Sequence, residues 1–244
     1  MSSGILQGLR DALRVAKISS QIIEVRSPKR FRDSWNALSL IVQVRDHTMV
    51  DVPRLKLLYD LTKELDSQGI PGDLVTCGVY RGGSSAVLAG ANRKSDVQRN
   101  SWLFDSFEGL PEPTQRNGFE AQETYHKGWC TASEDEVRQL FACLGFMNSN
   151  VHIVKGWFQD TLPFAPIRQI ALLHIDADWY NSVSICLTTL FDRVRPNGVI
   201  VLDDYGTWEG CRNATNDFFS ARNLDLALLR YRGPAAYFRK PASL

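Results

Sequence analysis

Leu74-Val75-Thr76-Cys77-Gly78-Val79-Tyr80-Arg81-Gly82-Gly83-Ser84-Ser85 is the stretch that decides the fold. A short run of Leu, Val, Thr and Cys meets a glycine, and a glycine pair opens a longer, helix-compatible segment. The order is strand, tight turn, helix. Glycine allows close backbone approach to a ligand, and a helix N-terminus offers unpaired N–H groups to an anion. The spacing G-x-x-x-G-G is neither the dinucleotide G-x-G-x-x-G nor the phosphate-binding G-x-x-x-x-G-K-[ST]. A nicotinamide enzyme and a nucleoside triphosphatase both lose ground. A tight strand-to-helix turn also needs glycine for conformational reasons alone.

Outward from this turn, apolar runs at 74–79, 101–105, 151–155, 170–176 and 198–203 alternate with helical stretches at 84–93, 133–146, 181–193 and 209–221. Nearly continuous apolar runs suit strands buried on both faces of a parallel sheet. Alternating strands and helices predict an α/β doubly wound sheet with ligands at the carboxyl ends of its strands. The segments 224–232 and 235–240, joined around Gly233-Pro234, predict an antiparallel hairpin at the end of the chain. Before the first strand, a helix is expected over about 53–67, with Pro53 in its first turn. Residues 1–50 are expected as a helical extension and 51–244 as the main domain. In the extension Leu6, Leu9, Leu13 and Ala16, and then Trp35, Leu38 and Val42, recur at helical spacing on either side of Pro28. Two helices packed on the main body or on a partner subunit fit that pattern, and a homo-oligomer is expected. The stretch 106–131 is long and rich in Gly and Pro, as a lid is.

Composition narrows the function classes. The chain has 244 residues, 44% hydrophobic and 23% charged, with 28 basic against 27 acidic residues. That is a globular composition without the basic excess of a nucleic-acid binder. The five cysteines lack C-x-x-C spacing, so they suit a reducing compartment as small hydrophobes. The uncharged stretch 179–191 is too short to cross a bilayer, so no membrane span is expected. Residues 1–13 contain Arg10 and Asp11, which argues against a secretory signal. The cytoplasm is the expected compartment.

Chemistry concentrates at the predicted strand ends. Asp105 closes the second strand, where an acidic side chain can accept the ribose hydroxyls of a nucleoside cofactor; a loop or capping role suits it equally. His174-Ile175-Asp176-Ala177-Asp178 and Asp203-Asp204 close two strands that this topology makes neighbours. Three or four carboxylates then converge in one crevice. Two unit charges 4 Å apart repel by roughly 4 kcal/mol at an effective dielectric of 20. A hard divalent cation removes the conflict, and oxygen-only donors favour Mg²⁺, Mn²⁺ or Ca²⁺ over Zn²⁺. Any one of these aspartates could instead cap a following helix. His174 is read as a hydrogen-bonded core histidine, and His126, in the lid, as a possible substrate contact.

Five motifs carry a resemblance. They are G-D-L-V-T-C-G-V-Y-R-G-G-S (72–84), L-F-D-S-F-E-G-L-P-E-P (103–113), K-G-W-F-Q-D-T-L-P (155–163), L-L-H-I-D-A-D-W-Y-N-S (172–182) and P-N-G-V-I-V-L-D-D-Y-G (196–206). In order and spacing they resemble the macrocin O-methyltransferase family, enzymes dependent on S-adenosyl-L-methionine and Mg²⁺ that methylate sugar hydroxyls of natural products. The resemblance covers about 48–240. It implies the class I methyltransferase fold, a Rossmann-like seven-stranded sheet ending in the antiparallel hairpin. It also implies S-adenosyl-L-methionine at Gly78, Tyr80, Arg81, Gly82 and Ser84, with Asp105 on the ribose and Ser133 near the adenine. Asp176, Asp203 and Asp204 become the metal ligands, for Mg²⁺ or Mn²⁺, and Asp178 the general base. Met49 lies where family members put a segment over the active site; apart from the resemblance, His126 in the lid and Tyr205 are also expected as substrate contacts. One departure stands out, because the family commonly has Glu where this chain has Thr76.

The implied reaction is methyl transfer to a hydroxyl of a small molecule with vicinal hydroxyls, a sugar or a glycosylated natural product. The same chemistry on a catechol stays open, since Trp157, Trp179, Tyr180 and Tyr205 are aromatic residues near the motifs. A non-catalytic protein that binds S-adenosyl-L-methionine or a metal is the reading from another class. It would require a missing base or ligand, and all four aspartates are present.

Overall fold

A computed structural model describes residues 28–93, 95, 97–225, 227 and 229–242. The helix expected around Leu6 to Ala16 lies outside them. Seven strands form one sheet: β1 (Asp73–Cys77), β2 (Ser101–Asp105), β3 (Val151–Lys155), β4 (Ile170–Ile175), β5 (Val194–Leu202), β6 (Arg230–Arg232) and β7 (Ala235–Arg239). Their order is β3-β2-β1-β4-β5-β7-β6. β1 to β5 pair in parallel, and β7 runs antiparallel to both β5 and β6. This is the class I methyltransferase arrangement.

Strand alternation builds three layers. Leu74, Leu103, Leu172, Val199 and Val201 point to one face, against α1 (Pro28–Val44), α2 (Val52–Ser67), α3 (Gly83–Asn92) and the later helix over 134–143. Val75, Cys77, Phe104, Leu173, Ile175, Ile200 and Leu202 point to the other, against the helices over 180–190 and 209–221. Side chains two apart share a face, so both faces of the central strands are apolar, as the near-continuous runs require.

In chain order the remaining helices are α4 (Phe119–Thr124), α5 (Glu134–Cys143), α6 (Phe158–Thr161), α7 (Tyr180–Leu190) and α8 (Glu209–Ala221). Local chemistry sets their starts. Asp51 caps α2 by accepting from the Arg54 amide at 2.9 Å, with Pro53 in the first turn. Ser133 and Glu136 form a reciprocal capping box that opens α5.

Three expectations needed adjustment. β5 begins at Val194, earlier than its apolar run, because it absorbs Pro196-Asn197-Gly198 as an irregularity: Ile170 pairs with Val194 and Leu172 with Val199. The first hairpin strand is only Arg230–Arg232. On α1, Leu38 is buried but Trp35 is 53% exposed; Ala37, Leu40, Ile41 and Val44 complete the buried stripe. That stripe belongs to the same core as α2 and α3, so α1 is fastened to the sheet's α2 face. No helix among the described residues is long and apolar enough to cross a membrane.

Candidate active site

The glycine turn after β1 is shaped by contact as much as by conformation. Gly78 has φ +90°, and a Cβ there would lie 1.7 Å from the Asp176 carbonyl oxygen. The ends of β1 and β4 therefore approach too closely for any side chain, and Asp176 N–H donates to the Cys77 carbonyl at 2.8 Å. Tyr80 is held at φ +51°, a conformation costly for a non-glycine residue.

Asp105 stabilises that turn. Its Oδ2 accepts the amides of Val79 at 2.7 Å and Tyr80 at 2.9 Å, and its Oδ1 accepts the Phe107 amide at 2.7 Å. A carboxylate offers about four acceptor sites, so three are engaged by backbone. Asp105→Ala should therefore destabilise the protein without any ligand present. Each bond to a charged group contributes roughly 1.5–3 kcal/mol, and a net loss of about 3 kcal/mol is expected after relaxation. Urea unfolding without cofactor measures it. An unchanged midpoint would restrict Asp105 to ligand contact.

The carboxylate cluster follows from parity. His174, Asp176 and Asp203 continue the alternation of Leu172, Val199 and Val201, so they emerge on the face covered by α2. Their potential ligand atoms lie within 4.8 Å of one another. From α2, the Arg54 guanidinium contacts Asp203 Oδ2. Asp203 Oδ1 is buried with no hydrogen-bond partner and lies 3.6 Å from His174 Nε2. His174 is fully buried and both ring nitrogens are unpaired, unlike the hydrogen-bonded core histidine expected. Its neighbours in register are Thr76 and Val201, and neither provides a carboxylate.

Asp204 and Asp178 lie beside this group but are not part of it, so the set within 4.8 Å has His174 where Asp204 was expected; the Asp178 amide donates to Asp204 Oδ2 at 3.3 Å. Burial, then the charges of Asp203 and Asp178, push Asp176 well above the ordinary carboxylate range, partly offset by Arg54. Burial and its three acidic neighbours do the same to Asp204. Asp178 is pushed up to about 7, by burial first and Asp203 second, with a Trp208 hydrogen bond opposing. The Cys130 thiol, pushed up to about 12 by burial and then Asp178, is a poor nucleophile.

These groups open into one cavity of about 750 Å³. It brings together Gly78, Tyr80, Ser84, Asp105, Asp176, Asp178, Asp203, Asp204 and Met49. Arg81, Gly82, Ser133, His126 and Tyr205 lie outside its lining. Arg81 faces Glu136 at 3.6 Å, Gly82 packs on Val137, and Ser133 is engaged in its cap. His126 stacks on Trp129 at 5.5 Å, and the Tyr205 hydroxyl donates to Asn216 at 2.9 Å.

The sequence reading missed Arg54, Trp129, Trp208 and Asn117. The three indoles of Trp129, Trp179 and Trp208 meet edge to face at 5.1–6.3 Å. Trp179 Nε1 donates to the Pro111 carbonyl of the 106–131 segment at 2.8 Å. That segment is partly ordered as α4 and is anchored by Asn117, whose Oδ1 accepts the Tyr180 amide at 2.6 Å. Asn117 thus caps α7, which has no side-chain cap of its own.

A family model described as macrocin-O-methyltransferase (TylF) matches residues 9–240. The chain belongs to the macrocin-O-methyltransferase family. It is an O-methyltransferase, and the match begins well before the five motifs. A 4'-O-methyltransferase of 8-demethyl-8-(2,3-dimethoxy-alpha-L-rhamnosyl)-tetracenomycin C from Streptomyces olivaceus is 34% identical over 201 residues, 81% of this chain and 77% of its own. A mycinamicin III 3''-O-methyltransferase from Micromonospora griseorubida is 27% identical over 96% of this chain and 91% of its own. Among solved structures, the O-methyltransferase NovP superposes on this methyltransferase with TM-score 0.74 at 28% identity, covering 96% of this chain and 99% of NovP.

Proposed function

We propose that this methyltransferase transfers the methyl group of S-adenosyl-L-methionine to a sugar hydroxyl of a glycosylated natural product, with Mg²⁺ or Mn²⁺ held beside the acceptor. The observation that carries this reading is the convergence of the glycine turn and the carboxylate cluster in one cavity at the sheet's carboxyl end. The donor set fits a hard cation: it is oxygen-rich, and Asp203 Oδ1 is buried and unpaired. Asp176, Asp203 and Asp204 would hold the ion. Gly78, Tyr80, Ser84 and Asp105 would line the S-adenosyl-L-methionine subsite. Residues 51–244 would form the catalytic domain, with 1–50 as its extension.

When bound, S-adenosyl-L-methionine supplies a methyl group on a cationic sulfur, and the divalent ion supplies a Lewis acid that acidifies an alcohol. Asp178 accepts the proton that the acceptor hydroxyl loses. Burial raises the proton affinity of Asp178 above that of an ordinary carboxylate, which suits it to this, and a divalent ion beside it would draw that affinity back down while keeping it ionised at neutral pH. Trp208 donates a hydrogen bond to that carboxylate, and the half-buried rings of Trp129 and Trp208 would meet a sugar, with Trp179 packed behind them at 1% exposure.

Cavity charge favours a neutral glycoside over a sugar nucleotide. Asp105, Glu112, Asp176, Asp178, Asp203 and Asp204 line it, with Arg54 as the sole basic residue among the described lining residues. Arg54 is already engaged with Asp203. A diphosphate would meet repulsion there. The half-buried rings of Trp129, Trp157 and Trp208 also suit a flat catechol, which is the second reading. Methyl-labelled S-adenosyl-L-methionine, offered with deoxysugar glycosides, a sugar nucleotide and catechols, separates these by mass spectrometry. Labelled glycoside alone is expected, and labelled catechol alone would replace the substrate assignment.

A further inference from the structure

We propose that Arg54 is a positioning residue for the cation site, holding Asp203 by Oδ2 so that Oδ1 is presented to the ion. This rests on the reading of the cluster as a cation site. The two oxygens of Asp203 have different surroundings. Oδ2 takes the Arg54 guanidinium, while Oδ1 is buried, unpaired and turned toward His174 and Asp176. A carboxylate fixed in this way offers one oxygen and keeps its orientation.

The guanidinium also faces Asp51, whose Oδ1 accepts the Arg54 amide at 2.9 Å and lies 3.3 Å from Arg54 Nε, an ion pair in which Nε makes no hydrogen bond. The Arg54 side chain is 14% exposed and that of Asp203 2%. One residue at the start of α2 thus links the helix cap to the end of β5. Its charge acts in the other direction, because a guanidinium beside the site repels a divalent ion; Arg54 favours the ion only in so far as the fixed orientation of Oδ1 outweighs that repulsion. Among the described residues lining the cavity it is the one basic side chain. Arginine suits the task because it stays charged and donates from a rigid fork.

Without the guanidinium, Oδ2 of a buried carboxylate loses its donor, an unfavourable arrangement. Asp203 then gains by turning toward His174 Nε2, and the ion loses an oxygen. Removing an outer partner of a metal ligand typically weakens metal binding 10- to 100-fold.

The test is Mn²⁺ titration of the full chain, freed of metal by chelation, with unbound Mn²⁺ read by electron paramagnetic resonance. Calorimetry of S-adenosyl-L-methionine binding runs in parallel. R54Q should weaken Mn²⁺ binding by about 10- to 100-fold while cofactor affinity holds, and R54K should recover part of the loss. Tighter Mn²⁺ binding in R54Q would make Arg54 a competitor of the ion and overturn the inference, and so would unchanged binding. Should R54Q not fold, R54K carries the test: it keeps the charge and loses the fork, so weaker Mn²⁺ binding than wild type is expected from positioning, and equal binding would overturn the inference. Wild-type protein that takes up no Mn²⁺ would overturn the cation reading itself, an outcome distinct from equal binding by wild type and variant.

Discussion

Replacing Asp178 by asparagine should lower kcat by about 10²- to 10⁴-fold, the range a positioned base contributes, and leave cofactor and cation affinity intact. The substitution is mild for the fold. Asp178 sits at φ +50°, a left-handed conformation that asparagine tolerates nearly as well as aspartate. Its amide bond to Asp204 Oδ2 comes from backbone and survives. What disappears is a carboxylate whose proton affinity burial has raised. Wild-type kcat should rise with pH as Asp178 ionises, and that limb should be missing in the variant. A divalent ion held beside the hydroxyl would acidify it as well, so the loss belongs toward the low end and alkaline pH should restore part of it. Asp176→Asn should behave differently, raising the Mg²⁺ concentration needed for half activity. Both variants can be compared by titrating Mg²⁺ at two pH values. Near-normal kcat in Asp178→Asn, or a defect confined to Mg²⁺ affinity, would move Asp178 into the ligand set.

What the sequence made legible is what local patterns can encode. The central strands are apolar on both faces, so their positions and parallel direction could be read directly, while their order across the sheet came from the structure. The carboxylates were legible because they end two such strands, and parallel neighbours place their ends together. Arg54 was not, since 149 residues separate it from Asp203 and nothing in its own helix marks it. It is Asp51, Pro53 and the apolar face of α2 that fix its height above the sheet. Asn117 was hidden for a related reason: it caps a helix that begins far along the chain. The double duty of Asp105 follows from β1–β2 pairing, because the strand that ends in Asp105 runs beside the one that ends in the glycine turn. Sequence alone suggested a ribose contact, and the backbone amides of Val79 and Tyr80 add a structural role.

Exhaustive chelation should abolish turnover, with Mg²⁺ restoring it, and should also reverse how stability responds to pH. In the chelated protein Asp178 titrates at about 7, against an ordinary value of 3.8, and Asp176 and Asp204 shift in the same direction. A carboxyl with a raised folded-state pKa binds more protons folded than unfolded. Its contribution is therefore fully present below the unfolded pKa and is lost as pH rises through the folded one. Chelated protein should lose thermal stability steadily from about pH 4 to pH 7, where Asp178 ionises. Saturating Mg²⁺ should oppose that loss, because it favours the ionised carboxylates. It should also release protons on binding near neutral pH, which calorimetry in buffers of different ionisation enthalpy detects. Melting curves across this range, with and without Mg²⁺, test the coupling. Full activity after chelation would make the carboxylates structural. Activity that does need Mg²⁺, combined with no proton release and a flat pH response of the chelated protein, would place the ion away from Asp176, Asp203 and Asp204.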